Sequence, residues 1–284
     1  MYSFPVGVIV EAFRLPFKDA VKKAAVMGAK GIQMFATYGE TTPEKLTKQK
    51  RVELLDTVKS EGLVFSAVCG DFGKGFGNPE QNPKQIEESK RIIDLALDLG
   101  TNIVTTHIGV VPEDPHEERY QIMQEACGKL AAYADSVNAH FAVETGPEKA
   151  ETLCAFLDSL HSEGVAVNLD PANLCMVVRD DPVKAVHTLK KYIVHTHAKD
   201  GVNLRPCNPA YIYKVVHPVP EEYAGVRFYK EMPLGTGQVD WKAYLEALDE
   251  IGYRGFLTIE REVGDTPEED IQTAFDYLTK IIRS

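Results

Sequence analysis

The sequence predicts an α/β chain folded as one (β/α)8 barrel over residues 1–284. Three observations carry this. Short apolar runs alternate with amphipathic helical stretches along all 284 residues. The runs are apolar throughout rather than alternating, as expected of parallel strands covered on both faces by helices. There are eight such units, which suits a closed barrel better than an open sheet.

The predicted strands are FPVGVIV (4–10), GIQMFA (31–36), VFSAVCG (64–70), NIVTTHIG (102–109), HFAVETG (140–146), VAVNLDP (165–171), YIVHTHA (192–198) and GFLTIERE (255–262). Helical periodicity fills the gaps. PFKDAVKKAAVMGAKG sets Ala20, Ala24 and Met27 on one face before glycines stop it. EESKRIIDLALDLG does the same with Ile92, Leu95, Ala96 and Leu99 and ends on Gly100. VDWKAYLEALDEIG aligns Trp241, Tyr244, Leu245 and Leu248, with Asp240 available to cap its start. The connection 201–237 is far longer than an ordinary βα loop and rich in Pro, Tyr and Gly. Tyr211, Tyr213, Tyr223, Phe228 and Tyr229 make it a lid over the barrel mouth or a contact between subunits.

Composition narrows the function classes. The net charge of −11 argues against nucleic-acid backbones and anionic membranes as partners. No segment approaches the ~20 apolar residues of a membrane helix. The first residues lack a basic start and a small-residue cleavage site, so they read as a strand rather than a signal peptide. Five scattered cysteines without CxxC spacing point to reduced thiols and a cytoplasmic location. No GxGxxG follows the first strand, which argues against a dinucleotide cofactor.

Four polar residues stand where apolar runs end: Glu144, Asp170, His197 and Glu260. In a barrel these positions face the carboxyl-terminal mouth, where active sites are built. A buried carboxylate is costly unless paired or bound to a cation. Three carboxylates and an imidazole suit one divalent metal, Mn2+ foremost, with Mg2+, Co2+ or Zn2+ also served. Period-two phasing puts His195 with His197, Thr105 with His107, and Thr258 with Glu260 and Glu262. His107 is a candidate substrate contact, His195 a supporting residue, and Glu262 a rim residue paired with Arg261 or a lysine. No glycine-rich phosphate cradle stands out, and Arg14, Lys74, Arg205 and Lys214 are left without a place.

The ordered set VETG, NLDPANL, HTHAKD, PLGTGQVDW and GFLTIERE resembles the xylose isomerase-like superfamily of TIM barrels (the sugar phosphate isomerase/epimerase family). The resemblance spans essentially the whole chain. It implies a single-metal site of Glu144, Asp170, His197 and Glu260, with Glu144 and Glu260 also exchanging the substrate proton through a metal-stabilised enediolate. It implies a sugar or sugar phosphate as substrate, and dimers or tetramers as assemblies. Asn173 stands where many epimerases of the family have His, and Asn203 where they have Arg. Asn173, Lys199 and Arg205 are the further expected substrate contacts. These departures keep a metal-dependent lyase or dehydratase, acting on a keto-sugar or keto-inositol, as the alternative to an isomerase or epimerase. A non-catalytic sugar-binding barrel and a nuclease like the DNA-repair endonucleases of this fold rank lower. Both proton-transfer carboxylates are intact, and Asn173 replaces a histidine that the nucleases use.

Overall fold

A computed structural model of the chain describes residues 2–213, 215 and 218–284; Lys214 therefore lies outside the described residues. Eight parallel strands close into a barrel: β1 (Val6–Ile9), β2 (Gly31–Phe35), β3 (Val64–Cys69), β4 (Ile103–Thr106), β5 (His140–Glu144), β6 (Val165–Leu169), β7 (Ile193–Ala198) and β10 (Leu257–Ile259). Closure runs through β1, which pairs with β2 through Gly7↔Gly31 and with β10 through Gly7↔Thr258. Two further strands, β8 (Asp200–Asn203) and β9 (Tyr229–Met232), form an antiparallel hairpin outside the barrel.

The helices are α1 (Phe17–Met27), α2 (Lys48–Ser60), α3 (Asn82–Asp98), α4 (Glu118–Ser136), α5 (Ala150–Asp158), the short α6 (Pro171–Asn173), α7 (Pro182–Leu189), the short α8 (Pro209–Ile212), α9 (Trp241–Glu250) and α10 (Pro267–Arg283). The predicted faces are the buried ones. Ala20 and Ala24 of α1, and Ile92, Leu95 and Ala96 of α3, are buried, as are Trp241, Tyr244, Leu245 and Leu248 of α9. Asp240 caps α9 by accepting from the Ala243 amide at 3.1 Å. No helix among the described residues is long and apolar enough to cross a membrane.

Two expectations need correction. The barrel strands are shorter than the apolar runs: 102–109 contracts to Ile103–Thr106 and 255–262 to Leu257–Ile259. His107 and Glu260 thus stand just past strand ends, where the chain turns out of the barrel wall. The connection 201–237 also carries regular structure of its own. Its ends form β8 and β9, paired from Asp200↔Met232 to Asn203↔Tyr229. Asp200 holds the returning chain. Its buried carboxylate accepts from the amides of Gly201, Gly235, Gly237 and Val239 at 2.8–3.2 Å, and from Trp241 Nε1 at 3.2 Å. A Cβ at Gly237 would collide with that carboxylate. This explains the PLGTGQVDW element: its glycine and tryptophan are fitted to one buried aspartate.

Candidate metal centre and its cavity

The site has two tiers, staggered because the barrel strands tilt. Register pairs Glu144 with Asn168, Asn168 with His195, and Thr258 with His197. Asp170, His197 and Glu260 each stand two residues beyond Asn168, His195 and Thr258, so they project to the same inner face one tier higher.

The lower tier is a buried polar layer. The Asn168 Oδ1 lies 2.8 Å from His195 Nδ1, and Thr258 Oγ1 lies 2.8 Å from His195 Nε2. Burial pushes the His195 pKa well down, so the ring is neutral. Nδ1 therefore carries the proton and Nε2 accepts from Thr258. Asn168 Nδ2 then donates to Glu144 Oε2 at 3.2 Å. Gln33 Nε2 donates to Thr105 at 3.3 Å, and its Oε1 receives His197 Nε2–H at 3.2 Å. That contact leaves His197 Nδ1 pointing at the acids.

In the upper tier, one potential ligand atom from each of Glu144, Asp170, His197 and Glu260 lies within 4.8 Å of the others. His197 Nδ1 is 3.0 Å from Glu260 Oε2, 3.6 Å from Glu144 Oε1 and 3.7 Å from Asp170 Oδ2. Asp170 divides its carboxylate. Oδ1 caps α6 by accepting from the Ala172 and Asn173 amides at 2.8 and 2.9 Å, while the buried Oδ2 has no hydrogen-bond partner among the described residues. An unpartnered buried carboxylate oxygen beside two more carboxylates and an oriented imidazole nitrogen fits a divalent cation.

Local charges tune these groups. Burial pushes the Asp170 carboxyl up, against the pull of His197 and Lys199. Burial also opposes ionisation of Glu260, but Lys199 and His197 outweigh it and hold that carboxyl well below the usual range. The imidazolium of His197 is disfavoured by burial yet raised well above the ordinary value by Glu260 and Glu144. His107 follows the same logic: burial opposes its charge, Glu144 and Asp71 favour it, and its pKa rises to about 9.

A cavity of about 1030 Å3 opens over the quartet. His107, Glu144, Asn173, Lys199, Tyr213 and Glu260 line it. His107 Nδ1 is 3.3 Å from Asp71, and its Nε2 is 3.6 Å from Glu144. Asn173 Nδ2 donates to Glu144 Oε1 at 3.1 Å. Lys199, almost fully buried, sits 3.2 Å from Glu260 and 2.6 Å from the exposed Glu262. Glu262 thus pairs with a lysine, while Arg261 turns to Glu231 and Asp270. Tyr213 packs its ring 5.9 Å from that of His107. Tyr211 packs tilted on Tyr223 at 5.5 Å, and Tyr223 meets Phe228 edge-on at 5.2 Å.

Arg205 is not brought to this cavity. The amides of Leu204 and Arg205 both donate to the Phe228 carbonyl, and Arg205 is exposed beyond the end of the hairpin. Arg227, on the returning limb, lines the cavity instead. Asn203 ties the hairpin down by donating to the Met176 carbonyl at 2.7 Å. Gln33, Asp71 and Asn168 are contributors that the sequence reading passed over. Gln33 and Asn168 were findable as the polar residues inside apolar strands. Asp71 had no such signal.

The model of the xylose isomerase-like TIM barrel family matches residues 21–281. The chain belongs to this family. The 2-oxo-tetronate isomerase of Haemophilus influenzae is 22% identical over 294 residues, covering 99% of both chains. Among solved structures of the family fold, a xylose isomerase domain protein from Planctomyces limnophilus superposes with a TM-score of 0.79 at 26% identity, covering 99% of this chain and 97% of that one. A xylose isomerase-like TIM barrel protein from Mycobacterium smegmatis, in complex with magnesium, gives 0.72 at 18% identity, covering 99% and 100%.

Proposed function

We propose that the chain is a divalent-metal-dependent isomerase or epimerase acting on a small open-chain sugar. The observation that carries this reading is the convergence of Glu144, Asp170, His197 and Glu260, with Asp170 Oδ2 aimed inward and unpartnered. A divalent cation held by these four residues supplies Lewis-acid stabilisation for the charge that develops on the substrate as its α-proton leaves. The donor set of three carboxylates and one imidazole favours Mn2+, with Mg2+, Co2+ or Zn2+ as alternatives. Glu144 and Glu260 come from different strands and both face the cavity. One removes the proton, and the other returns it to the opposite face or to the neighbouring carbon. Asn173 steadies Glu144, and His107 and Lys199 orient the substrate by hydrogen bonds. The full-length similarity to a 2-oxo-tetronate isomerase supports a short open-chain oxo sugar or sugar acid whose carbonyl moves between adjacent carbons. All five cysteines are unpaired, which supports a cytoplasmic setting.

Lys199 favours a second reading. A protonated amine 3.2 Å from a candidate base can deliver a proton to a departing β-hydroxyl, which would make the reaction a dehydration. Turnover in D2O separates the two. An isomerase or epimerase returns a product of unchanged mass apart from exchanged deuterons, whereas a lyase product is lighter by water. The shared premise is tested by elemental analysis of Mn2+-loaded protein. Metal at background level, together with unchanged melting of Glu260→Gln in Mn2+, rejects the site.

A further inference from the structure

His107 and Tyr213 also line a second cleft, of about 980 Å3, which adjoins the cavity over the quartet. Its wall is the loop from β3 to α3, GDFGKGFGNPEQ (70–81), laid against the segment that follows His107. The loop is fitted closely. The Phe76 amide donates to the Ile108 carbonyl at 2.8 Å, and a Cβ at Gly75 would stand 2.6 Å from that same oxygen.

Two more glycines make a seat for Arg119. A Cβ at Gly77 would stand 2.5 Å from the guanidinium carbon, and one at Gly109 would stand 3.0 Å from Nη2. Arg119 Nε donates to the Val110 carbonyl at 3.3 Å, which fixes the plane of the fork. Among the described residues this is its one hydrogen bond, so both terminal nitrogens lack a protein acceptor. Glu117 is near enough for its charge to act on Arg119 but makes no ion pair with it, so the partly buried fork keeps unused donors that a ligand can engage. Lys74 stands exposed on the rim of the same cleft. Of the acids on the cleft, Asp71 is engaged by His107 at 3.3 Å and by the Gly73 amide at 2.8 Å, and Glu80 is exposed.

We propose that Arg119, seated on Gly77 and Gly109 with Lys74 at the rim, binds the anionic end of the substrate, a carboxylate or a phosphate monoester. This names the substrate class within the isomerase reading and rests on it. The guanidinium fork matches two oxygens of such a group, and bare glycines let a ligand come close to it. Gly109 follows His107 by two residues, so their Cα atoms are at most ~7 Å apart. His107 and Tyr213 line both clefts, and His107 Nε2 lies 3.6 Å from Glu144, so the fork's cleft and the quartet's cavity share a wall. A neutral sugar would leave the terminal nitrogens of the fork without a charged acceptor.

The test uses the full chain with and without MnCl2, and calorimetric binding of threonate, threitol and erythritol 4-phosphate. Wild type is expected to bind threonate or the phosphate at least ~10-fold more tightly than threitol, the order of one charge-assisted pair. The tighter of the two anions identifies which group the subsite takes. Arg119→Gln is expected to abolish the preference. Gly77→Ala keeps the charge but displaces the fork, and is expected to do the same. Lys74→Gln, at an exposed position, is expected to weaken anion binding a few-fold. Equal binding of threitol and both anions overturns the proposal, as does an anion preference that survives Arg119→Gln. If Arg119→Gln does not fold, a preference that survives both Gly77→Ala and Lys74→Gln overturns it. The metal arm separates the two readings. Arg119-dependent anion binding in a protein that takes up no Mn2+ leaves this subsite standing and removes the isomerase reading. Mn2+ uptake with solvent exchange into sugars, but no anion preference, does the reverse.

Discussion

Asn168 and His195 are locked together: the amide oxygen of one receives the Nδ1–H of the other at 2.8 Å, fully buried inside the barrel. That contact fixes which way the Asn168 amide faces, and so hands its Nδ2 to Glu144 at 3.2 Å. The chain continues to Thr258, whose hydroxyl donates to His195 Nε2. Asn168→Ala should leave His195 Nδ1–H and Glu144 Oε2 without these partners. The expected loss is about 1–3 kcal/mol of stability, seen as a lower urea midpoint. Mn2+ affinity should fall ~10–100-fold, because a ligand loses the group that orients it. Isothermal titration with MnCl2 measures this, and unchanged affinity would show that Asn173 and the strand orient Glu144 without Asn168.

Asp170 should separate metal binding from folding. Its Oδ1 caps α6 and its Oδ2 faces the quartet without a partner. Asp170→Asn keeps a capping oxygen, since Asn caps as well as Asp. It also removes one of three carboxylates crowded around His197. In EDTA the variant should melt at or above the wild-type temperature. Saturating Mn2+ should raise the wild-type stability by about 2.7 kcal/mol at one hundred times Kd. The variant should show almost none of that rise. A full Mn2+ shift in Asp170→Asn would remove this residue from the ligand set.

The barrel and the quartet were legible for the same reason. Strands buried on both faces must be apolar, so a lone acid or histidine at the end of each run stands out against its neighbours. The Arg119 cleft was not legible. Its parts, Gly75, Gly77, Gly109 and Arg119, lie on two loops and one helix start, and only tertiary packing brings them together. Arg205 misled because sequence spacing measured its distance from His197 along an extended loop, whereas the β8–β9 pairing folds that loop back and leaves Arg205 outside. The hairpin itself was hidden by its short, mostly polar strands, DGVN and YKEM.

Asp200 illustrates how a motif that looks catalytic can be architectural. It follows Lys199 directly, yet it does not line the cavity, and its carboxylate receives four backbone amides and the Trp241 indole. Asp200→Ala leaves those donors unpaired beneath the hairpin. The expected cost is about 3–5 kcal/mol, at the severe end for a point change. Asp200→Asn should recover part of it, because one oxygen remains. Chemical denaturation reads both, and a loss below about 1 kcal/mol in the alanine variant would mean that water replaces the carboxylate.

Glu148 gives the stability a pH dependence of defined sign. It is buried, with Oε2 accepting from the Val111 amide at 3.0 Å and Oε1 without a partner. Burial is the dominant influence and raises its pKa from 4.5 to about 8, against the smaller opposing pulls of the Val111 amide and His107. The folded chain therefore holds this proton more tightly than the unfolded chain. Its contribution is fully present below pH 4.5 and is lost as pH rises through about 8. The upper bound on that loss is on the order of 3–5 kcal/mol. Glu11, raised to about 7 chiefly by burial, adds a smaller slope of the same sign. Glu148→Gln keeps an oxygen for the Val111 amide and cannot ionise. Its unfolding free energy should be flatter than wild type between pH 5 and 8, with the two converging at the acid end. Parallel pH profiles from urea titrations would show instead that Glu148 ionises in the folded chain as readily as in the unfolded one.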